Sequence, residues 1–540
     1  MIGSMQEWPL LVWKLLDHAA LNHGDREIVT QTVEGPLHRS NWREVHARAK
    51  RLAKALSRLG VKQGDRVATM AWNTHRHVEC WYAISGMGAV AHTLNPRLFQ
   101  DQIVYIVSHA EDRVLFFDLD LLRLVEAIAP RLETVEHFVV MTDRAHMPGS
   151  TLDLLCYEEL IAAESADFQW AEIDETAPAG LCYTSGTTGD PKGVLYSHRS
   201  NVLHTLGVLG VDALAMSSRS VVLPVVPMYH ANAWGIPYAA AAVGAKIVMG
   251  GPHFDPETLH RLTVDEGVTL SAGVPTVWFG MLNYMEKHGL DLGKMERAVI
   301  GGSAAPRSMI ETLESRYGVT VVHAWGMTEM SPVGTIGAIC AATAQEPRER
   351  QLDIKSKQGR PLFGVELTIR DDAGGDLPRD GKTVGYLSAR GAWVVKHYFK
   401  GDGGTVLDQD CWFDTGDIAT IDTRGYVQIT DRAKDVIKSG GEWISSIMLE
   451  NIAVGHPAVA EAAVIGIPHP KWDERPLLIL IRKTGADVSR DEMLAYLSDK
   501  VAKWWLPDDV VFVDSLPHTA TGKLQKTALR EQFRHHGRSS

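Results

Sequence analysis

Tyr183-Thr184-Ser185-Gly186-Thr187-Thr188-Gly189-Asp190-Pro191-Lys192-Gly193 follows the apolar pair Leu181-Cys182. Three glycines, four aliphatic hydroxyls and a lysine share these eleven residues. Glycines let backbone N–H groups approach and wrap an anion, hydroxyls donate further hydrogen bonds, and lysine adds a point charge. The segment reads as a polyphosphate cradle built from Thr184, Ser185, Gly186, Thr187, Thr188, Gly189 and Lys192. No Gly-Lys-Ser/Thr closes it, so it is not a P-loop. A plain surface turn would not alternate hydroxyls with glycines ahead of a Pro-Lys-Gly stop.

On either side of this loop, apolar strand-like runs alternate with amphipathic stretches, the pattern of α/β layers around a buried sheet. Asn41 and Glu44 have capping-box spacing. Val45, Ala49, Leu52, Leu56 and Leu59 form one stripe, and Gly60 stands where a C-cap belongs. Strands are expected at 66–70, 114–117, 138–141, 221–223 and 298–300. From about Gly359 the texture changes. Val365, Leu367 and Ile369 alternate with Glu366 and Thr368 around the turn 371–375, and 426–430 alternates again. A second helix opens at Ser489 with Glu492, and Met493, Leu494, Leu497, Val501 and Trp504 are read onto its apolar face.

With 540 residues, more than one folding unit is expected. A composition 45% hydrophobic and 22% charged excludes disordered, collagen-like and disulfide-scaffold chains. The formal net charge of −12 gives no support to a nucleic-acid partner. Five scattered cysteines without a CxxC pair read as reduced thiols of a cytoplasmic protein. The first residues lack signal-peptide order. The apolar stretch from Trp234 to Gly251 contains Pro237, Lys246 and four glycines, which favours a buried helix and strand over a membrane span.

Further motifs follow the loop: Gly301-Gly302-Ser303-Ala304-Ala305-Pro306, Ala324-Trp325-Gly326-Met327-Thr328-Glu329, Trp412-Phe413-Asp414-Thr415-Gly416-Asp417, Asp431-Arg432-Ala433-Lys434-Asp435, Lys438 to Ser445, and Leu516 to Lys526. Over essentially its whole length the chain resembles the adenylate-forming acyl-CoA synthetases, with their relatives the luciferases and peptide-synthetase adenylation domains. The resemblance implies an α/β fold. A large N-terminal domain of layered α/β subdomains would span 1–430, with a β-rich unit at about 340–430. A hinge at 431–434 would lead to a mobile, small α+β C-terminal lid at 435–540.

The resemblance also implies roles. Gly302, Ser303, Ala304, His323, Ala324, Trp325, Gly326, Met327 and Thr328 would hold ATP or AMP, with Thr328 on the α-phosphate. Asp417 and Arg432 would take the ribose. Glu329, a hard carboxylate donor, and Thr184 would hold Mg²⁺ beside the phosphates. Lys523 would be catalytic, Lys434 the hinge residue, and Lys438, Ser439, Gly440, Gly441 and Trp443 the CoA segment. His230, Trp234, Gly302 and Gly326 would face the acyl group, on a helix expected to include Pro227 to Gly235.

The implied reaction has two steps. A carboxylate attacks the α-phosphate of MgATP to give acyl-adenylate and pyrophosphate, and the CoA thiol then displaces AMP. Within the superfamily the chain looks most like bacterial medium-chain and 3-methylmercaptopropionate-CoA ligases. Acetyl-CoA synthetases carry a tryptophan where this chain has Gly326, so a pocket deeper than two carbons is expected, with Trp234 limiting it. The substrates would be a small carboxylic acid, ATP and CoA, and a homodimer is compatible with the family. Two alternatives are an adenylating enzyme that loads a carrier protein and a non-catalytic ATP-binding relative.

Some matches carry no function. Gly86-Met87-Gly88-Ala89-Val90-Ala91 fits a dinucleotide fingerprint on paper but runs from helix to strand, the reverse of the required order. His75 with His77, and His535 with His536, lack partner ligands at metal spacing.

Overall fold

A computed structural model describes residues 3–184, 190–439, 442–518, 524–534 and 536. The first clear sequence signal is realised as the helix Trp42–Arg58. The Asn41 side chain accepts the Glu44 N–H at 2.9 Å, satisfying one of the donors left over at a helix start. Val45, Ala49, Leu52 and Leu56 are buried along one face, and Gly60, at φ +85°, ends the helix in the left-handed conformation that glycine adopts without strain.

Among the described residues four sheets form. One has seven strands, with Arg66–Met70, Val90–Thr93 and Asp112–Phe117 parallel at its centre. At one edge the antiparallel pair Pro178–Tyr183 and Gly193–Ser197 closes it. A second sheet of nine strands is parallel through Val221–Pro224, Leu270–Gly273, Arg297–Ile300 and Thr320–Gly326. Both sheets share one apolar core. Val67, Phe116 and Val139 of the first meet Ile28, Ile247 and Val322 of the second through the helices between them.

The helix His75–Gly86 lies so deep in this core that all its residues are buried. Its charged side chains are paired: Glu79 with Arg48 at 2.7 Å and with the Tyr157 hydroxyl at 2.6 Å, and Arg76 with Glu34 at 2.7 Å. His77 contacts the Thr69 hydroxyl and the Trp72 carbonyl, each at 2.9 Å, as a core histidine. Burial pulls its pKa down to about 4. The chain leaves this helix through Gly88 (φ +85°) into Val90–Thr93, a helix-to-strand passage as read.

The alternating stretches after residue 359 form a four-stranded antiparallel sheet of Val365–Arg370, Gly385–Gly391, Phe413–Ile421 and Val427–Arg432. Beyond it a smaller α+β unit is built on the long pair Val459–His469 and Asp473–Arg482, with its own core of Ile437, Leu449, Val464, Leu478 and Leu497. The arrangement is mixed α/β, with a large N-terminal and a small C-terminal domain.

Two expectations change. The helix opened by the reciprocal Ser489–Glu492 capping box is Arg490–Ser498. It stops before Val501 and Trp504, and Trp504 lies in a separate 3₁₀ turn, 42% exposed and edge-on to Trp505. The segment 227–235 is not part of a helix. Ala231, Asn232, Ala233 and Trp234 all have positive φ between 43° and 56°, and the helix Ile236–Val243 starts only after Gly235. Pro237 in its first turn suits a helix start, where its missing N–H leaves no bond unmade.

Candidate active site

Ligands of open α/β sheets sit beyond the carboxyl ends of the strands, and this chain gathers its motifs there. A cavity of about 770 Å³ is lined by Thr184 and Lys192 from one sheet and by Val225, Val274, Gly302 and the 324–329 segment from the other. A second, of about 910 Å³, continues it toward the C-terminal domain. The two share Gly302, Ala324, Trp325, Gly326, Arg432 and Leu524.

At the end predicted for phosphate, Thr184 and Lys192 follow and precede the antiparallel strands Pro178–Tyr183 and Gly193–Ser197. The Thr184 N–H donates to the Lys192 carbonyl at 2.9 Å, and the Lys192 N–H to the Thr184 hydroxyl at 3.3 Å, which closes the loop at its base. Ser185, Gly186, Thr187, Thr188 and Gly189 lie outside the described residues. Across the cavity, Thr328 and Glu329 are buried at the end of Thr320–Gly326. The Tyr196 hydroxyl donates to the Thr328 carbonyl at 2.7 Å, and the Tyr398 hydroxyl to Glu329 Oε1 at 2.8 Å.

At the ribose end, Asp417 is almost wholly buried. Its carboxylate accepts from the Trp325 indole N–H at 2.8 Å and pairs with Arg432 at 2.8 Å. The two predicted ribose residues therefore touch each other, with Trp325 as the third member. His323 lines the larger cavity and braces the turn beside it. Its Nε2 accepts the Ala305 N–H at 3.2 Å and its ring contacts the Ser356 carbonyl at 3.1 Å, pinning the 301–305 turn. Burial lowers its pKa to about 4, so the ring is neutral at pH 7. Gly302, at φ +83°, gives that turn its backbone, and Ser303 and Ala304 line the larger cavity with it.

At the acyl end, His230 and Trp234 both line the smaller cavity. The Trp234 indole lies where a side chain on Gly301 would project, since a Cβ there would stand 3.0 Å from Cη2. Gly326 also has a reason in the backbone. A Cβ on it would come within 2.0 Å of the Pro332 carbonyl oxygen, so backbone approach imposes glycine there. Sequence reading missed Arg97, Tyr229 and Tyr398, which line the same cavity. Arg97 and Tyr398 reach it from segments with no motif of their own, and Tyr229 lies beside His230 in the 227–235 segment.

The C-terminal domain contributes Leu524 to both cavities. Lys523, beside it, lies outside the described residues, as do Gly440 and Gly441. Lys434 lines the cavity, and burial lowers its pKa. The remaining CoA candidates line neither cavity. The Lys438 N–H donates to Glu474 at 3.0 Å, Ser439 accepts from Arg475 at 3.3 Å, and Trp443 lies edge-on to Tyr386 of the four-stranded sheet.

Fold and cavity together define an adenylate-forming enzyme. The model of the AMP-binding enzyme family matches residues 16–399, and that of the AMP-binding enzyme C-terminal domain matches 448–523. The chain is 53% identical to the 3-methylmercaptopropionyl-CoA ligase of Ruegeria lacuscaerulensis, covering 99% of both chains. It is 48% identical to the medium-chain-fatty-acid–CoA ligase of Ectopseudomonas oleovorans, covering 99% of this chain and 98% of the relative. Among solved structures, ATP-bound MatB from Rhodopseudomonas palustris superposes with a TM-score of 0.81 at 26% identity, covering 98% of this chain and 99% of that one. The chain belongs to the AMP-binding enzyme family and is an adenylate-forming acyl-CoA synthetase, an acid–thiol ligase with ATP and CoA as substrates.

Proposed function

We propose that this acyl-CoA synthetase activates a short- to medium-chain carboxylic acid, with the thioether acid 3-methylmercaptopropionate among its preferred substrates. One observation carries the reading. A single cavity is bounded by His230 and Trp234 at one end and by Thr184, Lys192, Thr328 and Glu329 at the other. An acid held against Trp234 would present its carboxylate toward a nucleotide held by the phosphate loop. The names of the two relatives support the range of acids, since one acts on a short thioether acid and the other on medium-chain fatty acids.

In the first step the carboxylate attacks the α-phosphate, and pyrophosphate leaves against the 184–193 loop. Thr328 and Lys523 stabilise the charge that develops, and donors aimed at such charge are typically worth about 3–4 kcal/mol each. Asp417 and Arg432 hold the ribose, and the neutral His323 keeps the adenine-side turn in register. A magnesium ion fits Glu329 and Thr184, because Glu329 Oε1 is taken by Tyr398 while Oε2 accepts no hydrogen bond among the described residues. Bound there with ATP, the ion would neutralise charge on the phosphate oxygens.

In the second step the lid, pivoting at 431–434 about Lys434, exchanges Lys523 for the Lys438–Trp443 segment. Paired glycines there leave room for the thin pantetheine chain. A cytoplasmic setting fits the five free thiols.

The test is AMP release across C2 to C12 acids and 3-methylmercaptopropionate, with CoA present and absent. CoA-dependent release peaking at C4–C8 or at the thioether acid is expected. A preference for acetate or for C12, or no AMP at all, refutes the assignment.

A further inference from the structure

A lysine and a glutamate that line one cavity attract each other more strongly as the surroundings lose water. Lys192 and Glu329 line one cavity, yet among the described residues neither forms an ion pair. The tyrosine at 398 touches both. Its hydroxyl donates to Glu329 Oε1 at 2.8 Å, and the Lys192 ammonium stands over its ring, 5.1 Å from the centroid. The ring is 8% exposed and packed with Cys182, Val194 and Tyr196, so it has no freedom to turn away.

The same segment lies against both residues. The Val395 N–H donates to the Glu329 carbonyl at 2.7 Å. At Gly403 a Cβ would stand 2.7 Å from Lys192 Nζ, so the ammonium lies close against this backbone.

We propose that Tyr398 is a positioning residue for adenylation. By holding one carboxylate oxygen of Glu329 and the face of Lys192 at once, it keeps the anion from being neutralised by the cation. Each charge is left available to its own ligand, the divalent ion for Glu329 and a phosphate oxygen for Lys192. This rests on the reading of Glu329 as a metal-binding residue, and the test separates the two.

Mn²⁺ is the probe, titrated by electron paramagnetic resonance into the full-length protein saturated with α,β-methylene-ATP, beside Tyr398→Phe and Glu329→Gln. Losing one hydrogen bond to a charged group is expected to weaken Mn²⁺ binding about tenfold in Tyr398→Phe. Raised Mg²⁺ is expected to rescue its pyrophosphate exchange, with the KM for acid unchanged. If Tyr398→Phe binds Mn²⁺ like the wild type while Glu329→Gln does not, the role of Tyr398 is overturned and the metal site stands. If Glu329→Gln also binds normally, the metal reading falls and takes the proposal with it. A near-isosteric 3-fluorotyrosine at 398 covers a folding failure of the phenylalanine chain. Its ¹⁹F resonance must broaden when Mn²⁺ joins the nucleotide complex, and an unbroadened line overturns the proposal.

Discussion

Trp443 lies edge-on to Tyr386, ring centroids 5.9 Å apart, and this contact docks the hairpin Ile437–Ser439 and Glu442–Ile444 on the outer sheet while Leu524 lines the cavities. In this pose Leu524, next to Lys523 in sequence, lines both cavities and the proposed CoA segment lines neither, the arrangement the proposed adenylation step requires. An edge-to-face aromatic pair contributes about 0.5–1.5 kcal/mol beyond its buried area. Tyr386→Ala is therefore expected to slow acid-dependent pyrophosphate exchange by up to about tenfold. Thioester formation from supplied acyl-adenylate should be unchanged or faster. Equal losses in both half-reactions would mean that the contact only holds the fold together.

Lys523→Ala should divide the half-reactions more sharply. A preorganised donor at the developing charge is worth about 3–4 kcal/mol, so adenylation should fall by about 10²–10³. Acyl-adenylate made chemically and supplied with CoA should still be converted at close to the wild-type rate. A comparable collapse of that second step would assign Lys523 to the fold or to CoA.

Much of this arrangement is written locally. The helix Trp42–Arg58 shows in Asn41, Glu44 and Gly60 because caps and stripes are short-range devices. The four-stranded sheet shows in the alternation of 365–369 and 426–430 because a half-buried strand repeats every two residues. The phosphate loop, Asp417 and Arg432 show because their chemistry is dense in sequence. Other features come from contacts between distant segments. The left-handed turn at Ala231-Asn232-Ala233-Trp234 has no glycine to announce it and is held by burial of its first three residues. Tyr398 is 69 residues from the carboxylate it holds. The resemblance assigns Trp443 to the CoA segment, and its contact with Tyr386, 57 residues away in sequence, has no local signal.

Trp234 sets the depth available to the acid if the acyl group lies where the cavity runs. Its indole occupies the space opened by the missing side chain of Gly301. Trp234→Ala should move the preferred acid to longer chains, because each further buried methylene adds about 0.8 kcal/mol, roughly fourfold in kcat/KM. Gly301→Val should do the reverse and more, since its Cβ would stand 2.8 Å from the Ala324 carbonyl oxygen and push the whole wall. An unchanged chain-length profile in Trp234→Ala would show that the tryptophan merely packs.

Acid should unfold the protein through its buried histidines, and His204 isolates the effect. Its Nε2 accepts the Val333 N–H at 3.2 Å, and burial alone lowers its pKa from 6.5 to about 3. With a folded pKa below the unfolded one, its contribution is fully present above pH 6.5. It is lost as pH falls toward 3, because the unfolded chain takes up a proton that the native ring refuses. Between pH 7 and pH 5 that is about 2 kcal/mol for this one residue. His77, His198 and His323, each lowered to about 4, act in the same direction. Asp118, which burial raises to about 8, and Glu450, raised to about 7, act against them. The wild-type slope is therefore a net of opposed terms, and the difference between two chains is the cleaner measurement. His204→Gln keeps an acceptor for Val333 but cannot protonate. In urea titrations at pH 7 and pH 5, the glutamine chain should lose about 2 kcal/mol less than the wild type over that interval, whatever its stability at pH 7. Parallel losses in the two proteins would show that His204 titrates in the fold as it does in the unfolded chain, contrary to its burial.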